Sequence, residues 1–386
     1  MYDFDKIIDR ENTSNVKYDM REAYFGNANV LPMWVADMDF ETPDFIRSAV
    51  IERAKHPIYG YSFRSDDYNQ SIIDWLSRRF SWKVEKDWLI FNPGIVPALN
   101  FSVLSFTDPG DGILVQPPVY FPFFSAIKNN NRKVIENRLV LENNKYHIDF
   151  DDLEKKAKDA KMMFLCSPHN PVGRCWTTEE LARMSKICIE NEVILISDEI
   201  HNDLILPGNC HKPAALCSDD IVKNLVTCIA PSKTFNMAGL ATSTVIIQDE
   251  VLREKYKSIL ESVHITNGNL FGMIASQAGY TNGDQWLEEL LTYLQGNFNL
   301  LSARLEKEFE TLKMIPAEAT YLAWIDFRKT GLSDDEIKEN LINKAGIGLS
   351  HGPIFGTGGS GFQRMNLAAP RKTIDHAVDC LKSVFR

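Results

Sequence analysis

No stretch of the chain reaches the roughly 18 uninterrupted apolar residues that a membrane helix needs, so nothing in it is expected to span a bilayer. The first twenty residues, MYDFDKIIDRENTSNVKYDM, hold no apolar run of the kind a secretory leader carries. No CxxC pair occurs among the seven cysteines, and an odd number in a chain of 386 residues speaks against a disulfide framework and against a zinc ribbon. Cys166, Cys188 and Cys228 sit in apolar runs and read as core fillers. There is no Lys/Arg-rich run, and the net charge is −10, which argues against a general nucleic-acid or anionic-membrane binder. A local basic pocket for a small anion stays open. Repeats and low-complexity segments are also missing. A reducing cytoplasm is the expected compartment.

What is present is ordinary globular composition, 44% hydrophobic and 24% charged, in a chain longer than one typical domain. The middle alternates short apolar runs with helical patterns, as in an α/β domain built on a mostly parallel sheet. Strands are expected near Trp88–Phe91, Ile113–Gln116, Lys161–Cys166, Val193–Ser197, Leu225–Ile229 and Thr242–Gln248. Thr178–Asn191 opens after a T-T-E-E start that suits a capped helix, and Ile95–Phe106 reads as a buried helix after Pro-Gly. Beyond these come a long helix over Trp286–Leu312, a strand over Tyr321–Asp326 and a final helix over Lys372–Phe385. The expected division is a large α/β domain over 46–284 and a smaller α+β domain made of 1–45 and 285–386.

Open α/β sheets bind ligands beyond the carboxyl ends of their strands. The residues just past each expected strand are therefore the informative ones. Asn92-Pro93-Gly94, Pro117 to Tyr120, Ser167 to Arg174, Asp198 to His201 and Pro231 to Asn236 collect an amide, a phenol, a carboxylate, an imidazole and an amine on one rim. Lys233 is either a surface lysine or an amine placed to lose its proton and attack a carbonyl. Its S-K-T setting lacks the G-x-x-x-x-G-K of a phosphate-binding loop. Asp198, at the tip of VILISDEI, needs a partner because an unpaired buried charge is costly. A protonated pyridine nitrogen, a helix cap, a structural ion pair, or a metal shared with Glu199, His201 and Asp203 would each supply one, though that spacing matches no familiar ligand set. Asn170 in SPHNPVGR is a turn residue or an amide donor to a phenolate. Tyr120 is a core aromatic or a ring that stacks on a planar ligand. Gly94, Ile95 and Val96 open a helix whose N–H groups can cup a phosphate. Gly356 to Gly361 fits GxGxxG in form, but no helix is expected after it, so it reads as a loop. Arg364, just beyond, is a surface arginine or a two-pronged clamp for a carboxylate.

The order of these motifs resembles the fold-type-I pyridoxal-phosphate enzymes. LPMWVADMDF at 31–40, YGY at 59–61, SPHNPVGR, SDEIHNDL and APSKTFNMAGL are similar specifically to the MalY/PatB-type cystathionine β-lyase subgroup, over the whole chain. The resemblance implies pyridoxal 5′-phosphate as cofactor, joined to Lys233 as a Schiff base. It implies that Asp198 pairs with the pyridine nitrogen, Asn170 meets the phenolate oxygen and Tyr120 stacks on the ring. Gly94, Ile95, Val96 and Ser232 would line the phosphate cup. Tyr61 would reach the phosphate of a neighbouring subunit in a homodimer, and Arg364 would bind the substrate α-carboxylate. His201 is implied near the ring or Asp198. Trp34 and Asp37 are suspects for substrate choice. No metal is implied. Two positions depart from many aminotransferases: Ala230 and Ala241 stand where a Ser and an Arg would hold the phosphate.

The implied reaction is β-elimination from an L-amino acid bearing sulfur on Cβ, with Lys233 as base and Lys233 or Tyr61 as proton donor to the leaving sulfur. The same likeness allows two other functions: an aminotransferase that uses the same lysine, and a regulatory protein that contacts a transcription factor.

Overall fold

The segment 162–166, apolar throughout, and Leu225–Ile229, apolar except for Thr227, are buried residue after residue. Strands with that pattern are covered on both faces, which is what a parallel sheet flanked by helices requires. A computed structural model describes residues 2–265 and 267–385. The outermost residues of the expected small domain, Met1 and Arg386, lie outside the described residues.

The central sheet has seven strands: β1 (Leu89–Asn92), β2 (Gly112–Val115), β3 (Lys133–Glu136), β4 (Ala160–Cys166), β5 (Ile194–Asp198), β6 (Leu225–Ile229) and β7 (Ser243–Ile246). Their order is β1-β7-β6-β5-β4-β2-β3, and β7 alone runs against the others. In this register Asp198 lies between Cys166 of β4 and Cys228 of β6, at the carboxyl edge. Helix α1 (Ile95–Phe106) and helix α3 (Glu250–Ser262) share one face of the sheet with Val103, Ile113, Phe164 and Tyr256 in their common core. Helix α2 (Thr178–Glu190) packs on the other face through Leu181, Met184 and Ile187.

After this layer come helix α4 (Asp284–Glu308), a four-stranded antiparallel sheet and helix α5 (Arg371–Lys382). The sheet comprises β8 (Lys313–Ile315), β9 (Leu322–Asp326), β10 (Ser350–His351) and β11 (Phe362–Asn366), in the order β8-β9-β11-β10. Leu290 and Leu294 of α4, Ile325 and Met365 of the sheet, and Ile374 and Val378 of α5 share one core with Met33, Met38 and Phe40 of the N-terminal segment. That segment adds one short parallel pairing, Leu31–Pro32 against Ile347–Gly348.

The fold is the fold-type-I arrangement expected: a large mostly parallel sheet layer plus a smaller α+β layer. Differences are local. The long helix ends at Glu308, not Leu312, because Phe309 turns extended to bury its ring and the chain then pairs as β8 with β9. The edge strand β3 has the sequence KVIE, too polar to signal a strand, and is held by its pairing with β2. As expected, Gly356 to Gly361 is a loop with no helix after it; it leads into β11, with left-handed backbone at Gly356, Gly358 and Gly361. No helix among the described residues is long and apolar enough to cross a membrane.

Helix α2 begins with a reciprocal capping box: the Thr177 hydroxyl accepts from Glu180 N–H at 3.1 Å, and the Glu180 carboxylate accepts from Thr177 N–H at 2.8 Å. Thr177→Ala is expected to lower unfolding free energy by about 0.5–2 kcal/mol in a denaturant titration. No change would mean that the cap is idle.

Candidate active site

The carboxyl edge of the central sheet faces the small layer across a cavity of about 700 Å³. Most of the residues singled out in the sequence meet there. Trp34, Gly94, Ile95, Val96, Tyr120, Asn170, Asp198, His201, Ser232, Lys233 and Arg364 all line it. They come from both layers, so the cavity exists only once the two are packed together.

Asp198 ends β5 with its carboxylate almost fully buried. It accepts one backbone N–H, from Ile200 at 3.2 Å, and forms no ion pair among the described residues. Burial pushes its pKa up to about 7, and the nearby Glu199 charge adds to the rise, while Ile200 N–H and Lys233 oppose it. The neighbouring acids turn elsewhere. Glu199 accepts from Ser197 Oγ at 2.9 Å and Ala214 N–H at 2.9 Å, and lies 3.1 Å from His211 Nε2. Asp203 accepts from Trp75 Nε1 at 3.0 Å and Thr234 Oγ1 at 2.8 Å. The four residues weighed as a metal set therefore diverge.

Lys233 stands in the short helical turn Pro231–Thr234 just past β6, and its Nζ donates to the Ala36 carbonyl. The side chain is half-buried, with its open part on the cavity. Burial draws its pKa down to about 8; Asp37 and Asp198 hold the proton on, and Arg364 works against it. A neutral amine is thus within reach near neutral pH, as a nucleophile or base requires. His201, also buried, is held neutral by burial first and by the Lys233 and Arg364 charges second, with its pKa pushed down to about 3. Its Nδ1 has no hydrogen-bond partner among the described residues.

Arg364 lies on β11 inside the cavity wall. Its Nη1 donates to Asn170 Oδ1 at 3.0 Å, and its Nη2 donates to the Trp34 carbonyl at 2.9 Å and Ser350 Oγ at 3.1 Å. Nε has no partner, and no carboxylate pairs with the guanidinium among the described residues. Because Arg364 takes the Asn170 oxygen, the Asn170 NH₂ group remains as the donor available to a ligand. Tyr120, half-buried, also lines the cavity, its phenol pushed up to about 12 by burial and by Asp198.

Two expected residues stand apart. Tyr61 is fully exposed and does not line the cavity of its own chain. Asp37 is also absent from the lining; its carboxylate is taken by Arg10 in a two-pronged pair at 2.7 and 3.1 Å. Sequence reasoning missed the apolar wall formed by Val16, Tyr24, Phe25, Leu341, Ile342 and Leu349. These carry no chemical mark, and their separation in sequence hides that they meet. It also missed Tyr321, whose hydroxyl donates to the same Ala36 carbonyl at 2.8 Å. Ala241, standing where a phosphate-binding Arg is common, lines the cavity in a left-handed conformation beside Thr242.

Comparison with known proteins gives a consistent picture. The pattern of aminotransferase class I and II matches residues 28–381. The chain is 41% identical over 384 residues to cystathionine β-lyase PatB of Bacillus subtilis (strain 168), covering 99% of each chain. Its structure is similar to cystalysin from Treponema denticola, which contains pyridoxal 5′-phosphate, with TM-score 0.97 and 36% identity over 100% of this chain and 98% of that one. It is similar also to the pyridoxal-phosphate-bound C–S lyase of Staphylococcus hominis, with TM-score 0.94 and 34% identity over 100% and 98%.

The depressed Lys233 pKa has a direct consequence. Reductive trapping of Lys233 by a small aldehyde, read out by peptide mass spectrometry, should rise as pH increases through about 8, where the amine becomes neutral. A midpoint near the ordinary lysine value of about 10.4 would show the amine to be solvated.

Proposed function

This chain belongs to the aminotransferase class I and II family, and on that basis we propose that it is a pyridoxal-phosphate carbon–sulfur β-lyase. It splits L-cystathionine, or a related S-substituted L-cysteine, with one water into a thiol, pyruvate and ammonia. The observation that carries the chemistry is a buried pair, Asp198 and Arg364, neither of which forms an ion pair among the described residues, beside the Lys233 amine in one cavity. The direction of the chemistry, lysis instead of transfer, is supported by the likeness to the PatB cystathionine β-lyase and the S. hominis C–S lyase.

The residues present fit the cofactor. A buried carboxylate with no ion-pair partner suits a protonated ring nitrogen, and an amine of low pKa suits an aldehyde. In this reading Lys233 bonds the cofactor, Asp198 keeps its ring nitrogen protonated, and Asn170 donates its free NH₂ to the phenolate oxygen. Tyr120 covers the ring, with His201 as a neutral neighbour. The helix start at Gly94, Ile95 and Val96, together with Ser232, holds the phosphate. Pyridoxal phosphate, when bound, supplies an electron sink for the pair released at the substrate Cα.

The chain does the rest. Arg364 turns its unpartnered Nε and its Nη groups to the substrate α-carboxylate, which fixes the Cα–H bond relative to Lys233. Lys233, neutral once released, removes that proton, and the departing sulfur takes a proton from Lys233 or from Tyr61 of the partner subunit. Trp34 bounds the space for the sulfur substituent.

The partner enters because Ile58, Tyr59, Tyr61 and Phe63 form an exposed apolar run in the single chain. A homodimer that covers this run and brings Tyr61 to the neighbouring phosphate accounts for it. We further propose units of 46–284 and of 1–45 with 285–386, and a reducing cytoplasm, which suits the seven free cysteines.

Purified yellow protein given L-cystathionine should release pyruvate and free thiol in equal amounts, and Lys233→Ala should lose essentially all turnover. Keto-acid-dependent amino transfer without pyruvate would instead make it an aminotransferase. Sedimentation should find a dimer, and Tyr61→Phe should retain less cofactor on dialysis while remaining dimeric. Unchanged retention would remove Tyr61 from the phosphate site.

A further inference from the structure

The segment from Trp34 to Met38 crosses the cavity rim without belonging to any helix or strand. Backbone carbonyls in such a stretch still need donors. Here each one is served by a side chain. The Trp34 carbonyl accepts from Arg364 Nη2 at 2.9 Å and Ser350 Oγ at 3.0 Å. The Val35 and Asp37 carbonyls accept from the two hydrogens of one amide, Asn366 Nδ2, at 2.7 and 2.5 Å. The Ala36 carbonyl accepts from Tyr321 Oη and Lys233 Nζ. The Met38 carbonyl accepts from Asn236 Nδ2 at 3.0 Å and Arg10 Nη1 at 3.2 Å. One strap therefore touches the amine expected to do the chemistry and the guanidinium expected to bind the substrate.

Four charges fasten the outer side of this strap. Arg10 pairs with both oxygens of Asp37 and with Asp39 Oδ1 at 2.7 Å. Lys17, fully buried, donates to Asp39 Oδ2 at 2.7 Å and lies 3.7 Å from Asp37 Oδ1. The cluster sums to zero charge: two cations, two anions. Burying Lys17 and Asp39, with Arg10 and Asp37 partly buried beside them, is expensive for one loop unless the geometry is used.

We propose that Arg10, Lys17, Asp37 and Asp39 are positioning residues for the active site, setting the strap so that the Ala36 carbonyl places the Lys233 amine and the Asp37 carboxylate supplies part of the field it feels. The inference rests on Lys233 being the cofactor-bearing lysine. It also gives Asp37 a role other than contact with substrate, since its oxygens are occupied by Arg10. The charged groups that face Lys233 are Asp37 from the strap, Asp198 from β5 and Arg364 from β11, with His201 neutral among them. Removing the Asp37 charge leaves an excess of cation beside the amine, which then holds its proton less tightly. Removing Arg10 unmasks Asp37, and the amine holds its proton more tightly.

The test is the visible absorbance of the holoenzyme, titrated across the neutral and alkaline range. Asp37→Asn should move the spectral transition to lower pH and Arg10→Met to higher pH, each by roughly half a unit or more. Asp37→Glu should restore the wild-type position. Thermal unfolding of each variant reports damage to the fold, which a purely structural role would produce in both without opposite spectral shifts. Shifts in the same direction, or no shift in either variant, overturn the proposal. Borohydride reduction of the holoenzyme that leaves the cofactor mass on a peptide other than the one carrying Lys233 would instead overturn the assignment of Lys233, a separate failure.

Discussion

Two ionisable groups held in the protein interior, with no ion-pair partner among the described residues, govern this molecule. An isolated buried carboxylate or guanidinium is among the costliest things a fold can contain. Asp198 meets that cost partly by taking its proton more readily, and Arg364 meets it by spreading its donors over Asn170, Ser350 and the Trp34 carbonyl. What remains uncompensated is a demand for a cation at one point and an anion at another. A ligand that supplies both gains what the chain alone does not provide, and under the proposed function a protonated ring and a substrate carboxylate would supply them.

The architecture delivers that arrangement in a simple way. Asp198 and Lys233 stand at or just past the tips of neighbouring parallel strands, with Asn170 one strand further along. Arg364 comes from the antiparallel sheet of the other layer, nearly two hundred residues from Asn170, to which it donates. The N-terminal strap ties the two layers by reaching across to Lys233, Asn236, Tyr321 and Asn366. Packing of the small layer on the large one is thus a condition of the site's electrostatics as well as of its shape.

Much of this is legible in the sequence for physical reasons. The helix over Ile95–Phe106 is signalled by its apolar run after Pro-Gly, and α2 by its capping box. Polar residues just after buried strands, such as Asp198 and Lys233, have one place to go in an open sheet, and they stand there. Tyr61 shows the limit. Its motif is visible, but one chain leaves it in solvent, because its proposed use depends on a surface that the chain does not itself provide. Asp37 shows another: a conspicuous acid in LPMWVADMDF pairs with Arg10, a residue with no sequence signature, instead of lining the cavity.

Most of the elements, their mostly parallel layering, the family likeness and most of the candidate site residues can be read along the chain, because periodicity and strand-end composition are local properties. Folding in three dimensions settles the rest: which of those side chains share a cavity, that Lys233 rests on the Ala36 carbonyl, and that Arg10 and Lys17 close a charge cluster behind it. These depend on desolvation and on distances between residues far apart in the chain. Burial energy acts on the folded surface, and no window of sequence contains it.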